Sequence, residues 1–504
     1  MRWKKRALGA AVYLSELLEE TGMNHQPLKD LDITGLTADS RDVRPGFLFA
    51  ALPGTDLDGR RYIGEAVERG ASAVLAPTGT YLNDGPSNQA NAPIRLITDS
   101  NPRRRFALIA SRFFNSQPDI IAAVTGTNGK TSVAQLTQQL WTTLGHKAGY
   151  MGTLGAATPD MKIEGSLTTP DPVRLHGMLA SMADAGVTHL AMEASSHGLH
   201  QFRIDGVRLA IAGFTNLSRD HLDYHGSMAS YLAAKMRLFS DVMMVGGVAV
   251  LNADSPEFSA FDAACKIRGH KVLSYGRKGS AIQQVGIGSK VDGQVLDLIV
   301  LGKSQRAWLP LVGPFQASNA LCALGFVLAG GADPVQAVEA LESLKGIPGR
   351  LERIGVHASG APVYLDYAHT PDAIETVLHA LRPHTSGKLS VVFGCGGDRD
   401  KGKRRIMGNK VAALADIAYV TDDNPRNENP EIIRAEILQG CPGAIEIADR
   451  TDAISTAIQG LETGDTLLLA GKGHEAGQVV GTNIIPFSDA EVARQLLDQG
   501  EPRS

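Results

Sequence analysis

The chain has 504 residues, 43% hydrophobic and 20% charged, the balance of a globular protein with length for roughly three cores. Lysine and arginine number 49 against 53 acidic residues, so a polyanion-binding surface is not expected and nucleic acid is not favoured as a partner. Four scattered cysteines, Cys265, Cys322, Cys395 and Cys441, form no C-x-x-C pair, which argues against a zinc site or a disulfide framework and for a reducing cytoplasm.

The first residues, MRWKKRALGAAVYL, pair a basic start with an apolar run that SELLEE breaks at once. With no small-residue cleavage site behind it, this predicts an amphipathic helix and not a signal peptide. No run approaches the ~20 apolar residues of a membrane span. From about Asp30 to Asp99 the pattern predicts a small α/β unit, with a helix at IGEAVERG and a strand at SAVLAP. Asp39, Ser40 and Arg41, and the loop GTDLDGRRY, read as solvated turns whose polar side chains could meet a polar ligand. Residues 78–93, rich in Gly, Pro and Asn, read as a surface excursion. SNPRRRFALIASRFF then carries a helical pattern that opens a second domain, with Arg103 to Arg105 as a solvated helix end.

Residues 120–136, IIAAVTGTNGKTSVAQL, predict a strand, a phosphate loop and a helix that ends at Gly145. Gly126 and Gly129 let the backbone curl around an anion, and the helix N-terminus adds partial positive charge. Lys130 would reach the β and γ phosphates, and the Thr131 hydroxyl would sit on Mg²⁺. The usual spacing would place a glycine at position 124, which is Val124, so Gly126-Thr127-Asn128-Gly129 belongs to a variant loop.

THLAMEAS, residues 188–195, puts Glu193 inside an apolar strand. A buried carboxylate there needs either a cation such as Mg²⁺ or hydrogen bonds from nearby backbone. His221 follows the strand LAIAGFTNL; with His225 it has i, i+4 spacing, but no Glu stands where H-E-x-x-H requires one, so zinc is not expected. In SMASYLAAKMRLF, Tyr231, Leu232, Met236 and Phe239 form an apolar face, and Lys235 reads from its residues alone as a solvated or snorkelling side chain. Residues 281–312 predict an antiparallel excursion, followed by two helices, the first holding Asn319.

Beyond Pro348-Gly349-Arg350, strands and helices alternate regularly, which predicts a mostly parallel, doubly wound sheet. Ligands of such sheets bind beyond the carboxyl ends of the strands. Four polar clusters fall there: YLDYAHTPD, FGCGGDRDKGKRR, TDDNPRNENP and GKGHE. Arg399, Arg426 and Lys472 against Asp366 and Glu475 could hold a zwitterion, Arg taking a carboxylate and Glu an ammonium.

TGTNGKT, MEASSHGL, DHLDYHG with a downstream AAK, PGRLE, DYAHTPD, GCGGDRDKGKR, DNPR and GKGHE occur in this order across nearly the whole chain. Together they resemble the Mur ligase family, and within it the members that add diaminopimelate. The resemblance implies an α/β protein of three domains: residues 1–100 binding the UDP end of the substrate, a central P-loop ATPase domain at 101–347, and a Rossmann-like amino-acid domain at 348–504. It implies a cytoplasmic, monomeric ligase of peptidoglycan precursor synthesis that uses ATP and Mg²⁺. Such a ligase adds meso-diaminopimelate to UDP-N-acetylmuramoyl-L-alanyl-D-glutamate (UDP-MurNAc-L-Ala-D-Glu) through an acyl phosphate.

Carried over by position, Lys130 and Thr131 bind phosphate and Mg²⁺, Glu193 ligands the metal, His221 belongs to a second metal site, and Lys235 becomes a carbamate by reaction with CO₂. Asn319, Arg350 and Asp366 join the loop residues around the nucleotide. Thr168, Thr169, Ser195, Gln201 and Arg203 match contacts to the sugar-peptide, and Ser40 the uridine end. Arg399, Asp423, Asn424, Pro425, Arg426, Gly471 and Glu475 match the diaminopimelate site, where Arg426 suits the second carboxylate that L-lysine lacks. An L-lysine-adding ligase is the near alternative. A folylpolyglutamate synthase would lack the N-terminal unit and DNPR. A regulatory protein without catalysis would have lost Lys130, Glu193, His221 or Lys235, and all four are present.

Overall fold

Short apolar runs bounded by polar turns become strands here, and the faces they bury set two parallel-sheet layers in the first half of the chain. The computed structural model describes residues 11–18, 30–54, 57–82, 94–163, 168–290 and 292–499. Most of the expected N-terminal helix, and the surface excursion from residue 83 onward, lie outside them. The described chain divides into two units, Met1–Ala281 with Cys322–Asp333, and Ile282–Leu321 with Pro334–Ser504. Among the described residues no helix is long and apolar enough to cross a membrane.

In the first unit, Gly35–Thr37, Phe47–Ala50, Ala73–Pro77 and Arg95–Asp99 form a parallel sheet in that order. Side chains alternate between its faces. Leu48, Ala50, Ala73 and Leu75 meet Phe106, Ile109, Ala110 and Phe113 of the helix Pro102–Phe114. Phe49, Val74 and Ala76 pack with Ala66 of the helix Ile63–Glu68 on the other side. Of the three arginines at the start of Pro102–Phe114, Arg104 is exposed as a solvated helix end expects and Arg105 is largely covered, and each guanidinium has a partner. Arg103 donates to the Pro53 carbonyl (2.5 Å), Arg104 to Asp205 Oδ1 (3.1 Å) and Arg105 to Asp99 Oδ2 (2.8 Å).

The second sheet of this unit runs Met161–Ile163, Gly155–Thr158, Ala148–Gly152, His189–Glu193, Ile120–Thr125, Leu209–Phe214, Val248–Asn252, Lys271–Gly276. Pairing is parallel from Ala148–Gly152 onward and antiparallel before it. Strands covered on both faces need continuous apolar sequence, as in IIAAVT. The helix Lys130–Thr143 stops where Gly145 adopts φ +87° and the His146 amide returns to the Trp141 carbonyl (2.9 Å), a glycine C-cap.

The second unit contains the expected antiparallel excursion, Ile282–Lys290, Gly293–Val300 and Lys303–Leu309. Its main sheet runs Glu352–Val356, Pro362–Asp366, Thr466–Ala470, Leu389–Phe393, Ile417–Val420, Ile445–Glu446. All pairs but the first are parallel. The strand nearest the C-terminus is inserted beside the first of the parallel set, so the four polar clusters leave adjacent strands at one carboxyl edge.

Candidate active site

The loop after Ile120–Thr125 is held from outside. A Cβ on Gly126 would stand 1.9 Å from Thr215 Oγ1, so only glycine lets the two segments meet. Thr215 Oγ1 donates to the Asn128 carbonyl (2.6 Å), and Asn216 accepts the Thr127 amide on its carbonyl (2.8 Å) and the Asn128 amide on Oδ1 (3.0 Å). Two loop amides expected to face an anion are therefore occupied. The first helix amides after Gly129 (φ +87°), which have no intrahelical acceptor, are the ones able to take an anion.

Lys130 Nζ donates to the carbonyls of Gly126 (2.9 Å) and Thr127 (2.8 Å). Thr127 Oγ1 accepts the Ser218 amide (3.0 Å) and lies 3.2 Å from the Tyr231 hydroxyl. Lys235, 1% exposed, reverses the reading taken from its residues alone. Its Nζ donates to the Gly126 carbonyl (2.7 Å) and lies 4.3 Å from the Tyr231 ring centroid. Burial first, and the charge of Lys130 second, hold its amine well below the usual lysine range, with Asp220 opposing. Burial likewise pushes the Tyr231 phenol up to about 12.

Glu193, 2% exposed, ends its strand against the turn after Gly152. Thr153 donates to it from its amide (2.8 Å, Oε1) and its hydroxyl (3.2 Å, Oε2). Each carboxylate oxygen keeps lone pairs for a cation. Thr131 is buried with it in the same unit, and a hydroxyl with a carboxylate is the hard oxygen set that Mg²⁺ takes along with phosphate oxygens and water. Among the described residues no group of three or more His, Cys, Asp or Glu could hold a metal. His221 is 45% exposed in a left-handed conformation (φ +52°), with Nε2 3.4 Å from Asp220 Oδ2. Its ring lies 4.9 Å from that of His197 and 6.1 Å from that of Tyr231.

Gly152 is a residue that motif reading misses. A Cβ there would lie 2.1 Å from Glu193 Oε1. Gly152→Ala is expected to displace the carboxylate and lower turnover by about 100-fold, since misplacement near 1 Å costs that much, while circular dichroism stays native. Unchanged turnover would mean that Glu193 does not need this position.

The sugar-peptide candidates form one network around Glu193. Thr168 Oγ1 lies 2.9 Å from Thr153 Oγ1; Thr169 Oγ1 donates to the Glu193 carbonyl (3.3 Å) and accepts from Ser195 Oγ (3.0 Å). Arg203 donates to the Thr169 carbonyl (2.8 Å) and to Gln201 Oε1 (2.6 Å), whose amide reaches the Tyr224 hydroxyl (3.0 Å). Gln201 and Arg203 also line a cleft of about 1060 Å³ with Thr37, Asp39, Arg103 and Phe106. Ser40 is not among its lining residues. It is buried, and its hydroxyl donates to Glu65 Oε2 (2.7 Å); its neighbours Ala38 and Asp39 face the cleft instead.

In the second unit Asn319, Arg350 and Asp366 are joined through neighbours. Gln316 accepts from Asn319 (3.2 Å) and donates to the Arg350 carbonyl (2.9 Å). Asp366 accepts the amides of Leu351 and Ala368, both at 2.7 Å, and burial pushes its carboxyl up to about 6 against the charge of Arg350. The DNPR turn meets the loop after Leu389–Phe393: the Gly397 amide donates to the Asn424 carbonyl (2.9 Å), and Arg426 Nη1 to the Gly397 carbonyl (2.8 Å). Arg426 does this with φ +51°. Pro425 is buried in the turn, and Arg399 is exposed. Asp423 faces Gly471, where an added Cβ would be 2.8 Å from Oδ2. Asn424 Nδ2 donates to Glu475 Oε2 (2.9 Å).

Three family models match the chain: "Mur ligase family, catalytic domain" at residues 32–114, "Mur ligase middle domain" at 124–327 and "Mur ligase, glutamate ligase domain" at 349–473. Among curated relatives, the UDP-N-acetylmuramoyl-L-alanyl-D-glutamate--2,6-diaminopimelate ligase of Caulobacter vibrioides is 51% identical over 472 residues, 92% of this chain and 96% of that one. The protein of the same name from Mesorhizobium japonicum is 50% identical over 469 residues, 93% of this chain and 95% of that one. A solved structure of a ligase of that name superposes with a TM-score of 0.72 at 32% identity, covering 97% of this chain and 99% of the other.

Proposed function

The chain belongs to the Mur ligase family, and from that premise we propose that it joins meso-diaminopimelate to UDP-MurNAc-L-Ala-D-Glu at the expense of ATP. The observation that carries this reading is the end-to-end match, at 50% and 51% identity, to ligases named for that reaction. It is a step of peptidoglycan precursor synthesis and takes place in the cytoplasm, where ATP and UDP-linked precursors are found. The chain works as a monomer. Residues 1–100 take the UDP end, 101–347 the nucleotide, and 348–504 the amino acid. An L-lysine-adding enzyme is less well supported, because the DNPR arginine matches a second carboxylate. A folylpolyglutamate synthase is disfavoured by the N-terminal segment at 32–114.

The D-glutamyl carboxylate oxygen attacks the γ phosphorus, ADP leaves, and an acyl phosphate forms. An amine of diaminopimelate then attacks the acyl carbon, loses a proton, and inorganic phosphate departs. Lys130 leaves the loop carbonyls for the phosphates and follows the negative charge through transfer. Gly126, Thr127, Asn128 and Gly129 shape the loop. Asn319, Arg350 and Asp366 bind the rest of the nucleotide. Thr131, Glu193 and Lys235 as its carbamate would hold Mg²⁺, with His221 at a second metal position. When bound, Mg²⁺ neutralises phosphate charge. Thr168, Thr169, Ser195, Gln201 and Arg203 orient the sugar-peptide, with Ser40 supporting the uridine end through its loop. Arg399 and Arg426 take carboxylates of the amino acid, Glu475 its charged amine with Asn424 holding that carboxylate in place, and Asp423, Pro425 and Gly471 shape that pocket.

The test is a substrate panel with ATP, UDP-MurNAc-L-Ala-D-Glu and meso-diaminopimelate, L-lysine or L-ornithine, following phosphate release and product mass. Turnover with meso-diaminopimelate is expected to exceed that with L-lysine by at least about 100-fold, because lysine leaves a carboxylate-binding arginine unpaired. Equal use of L-lysine would overturn the amino-acid assignment. Absence of turnover with the UDP substrate would overturn the whole reading.

A further inference from the structure

Lys472 lies between two glycines in left-handed backbone, Gly471 at φ +111° and Gly473 at φ +53°. An added Cβ would lie 2.8 Å from Asp423 Oδ2 at the first and 2.8 Å from Tyr367 Cβ at the second. The G-K-G turn sends its lysine inward: the side chain is 0% exposed. From sequence it joins Arg399 and Arg426 on the binding face, but full burial removes it from a ligand's reach.

A buried ammonium persists only when paired and hydrogen-bonded. Lys472 Nζ donates to Asn424 Oδ1 (3.0 Å) and Glu475 Oε2 (3.3 Å), with Asp423 Oδ1 at 4.0 Å. Asn424 Oδ1 accepts the Val479 amide as well (2.9 Å). With its oxygen held by two donors, the Asn424 side chain has one orientation, and Nδ2 meets Glu475 Oε2. One Glu475 oxygen is thus engaged twice. Among the described residues, no hydrogen bond is made to the other, Oε1.

We propose that Lys472 is a positioning residue for the incoming diamino acid, fixing the Asn424–Glu475 pair that receives its charged amine. The inference rests on the amino-acid site described under Proposed function. Without the ammonium, Glu475 Oε2 keeps only the Asn424 amide as a donor and Asn424 Oδ1 only the Val479 amide, so the pair is held by half of its contacts. Lys472 never touches substrate, so its loss registers in recognition of one substrate.

Steady-state kinetics of Lys472→Met test this. The KM for meso-diaminopimelate is expected to rise at least about 30-fold, the scale of losing one partner of a buried charge pair, while the KM values for ATP and the UDP substrate stay within about twofold, as for sites that do not couple. An unchanged KM for meso-diaminopimelate, or equal rises for all three substrates, would overturn the inference. If Lys472→Met fails to fold, Lys472→Met in a Glu475→Gln background, where one buried carboxylate is neutralised together with the ammonium, carries the test. There it should add less than about twofold to the effect of Glu475→Gln alone, because coupled residues are not additive; a further large rise would overturn it. Glu475→Gln and Arg426→Ala separate this from the site itself. If neither raises the KM for meso-diaminopimelate, the site is misassigned and the inference falls with it. If both do and Lys472→Met does not, only the inference is lost.

Discussion

Lys130→Ala is expected to reduce amino-acid-dependent phosphate release by at least about 1000-fold, the scale set by removing a cation from a transferring phosphoryl group. The ammonium donates to the carbonyls of Gly126 and Thr127, and a carbonyl is a dipole. A triphosphate offers full negative charge, so the side chain exchanges weak acceptors for strong ones when nucleotide arrives. A second account has Lys130 only brace the loop through those carbonyls. Lys130→Gln separates the two, because a glutamine amide can still donate to a carbonyl but carries no charge. Loss of turnover in both variants, with thermal midpoints near that of the parent, marks a phosphate-binding charge. Normal turnover in Lys130→Ala would sink the assignment, and recovery in Lys130→Gln would reduce the residue to a brace.

What was legible in the sequence is what acts locally. Ile120 to Thr143 announces itself because β-branched and small apolar residues, two glycines and a helix-compatible run follow one another in the chain. The parallel sheet of the second unit is legible for the same reason, since each strand and helix carries its own periodicity. Features made by distant segments were hidden. Lys235 looks like any lysine on an amphipathic helix; its burial comes from the helix Met228–Arg237 lying against the Gly126 carbonyl and Tyr231, contacts more than 100 residues apart for the carbonyl. The run Arg103 to Arg105 looks like one solvated patch, and its sequence does not show that each guanidinium has a separate partner. Thr153, Thr215 and Asn216 carry no motif of their own, although Asn216 does follow an apolar strand, where ligand-side residues of such sheets lie. Ser40 shows how a motif places a loop and not each of its side chains: its hydroxyl is engaged by Glu65 while its neighbours face the cleft.

Lys235→Ala is expected to lower turnover by at least about 100-fold, as loss of an anchoring charge at a phosphoryl-transfer site does, and short carboxylates added to the assay are expected to restore part of it. The reason lies in the sign of the charge. Lys130 and Lys235 share the Gly126 carbonyl, at 2.9 Å and 2.7 Å, and two ammonium groups on one carbonyl oxygen repel in a desolvated site. Burial and Lys130 together favour the uncharged amine at Lys235. An uncharged amine is the form that adds CO₂: its nitrogen lone pair attacks the carbon, one proton is lost, and the side chain ends as a carbamate with a single negative charge. The field of Lys130 that disfavours an ammonium now favours the carbamate. Since the amine pKa is lowered, the uncharged form is kept to lower pH than at an ordinary lysine and is lost as pH falls through that lowered value, so carbamate occupancy should drop as the solution is acidified. Nuclear magnetic resonance after incubation with ¹³C-bicarbonate reads occupancy directly, without turnover. A carbamate carbon is expected in the parent and absent in Lys235→Ala; no such signal in the parent, or full activity of Lys235→Ala without added carboxylate, would remove the carbamate from the mechanism and leave Lys235 as a buried support of the loop.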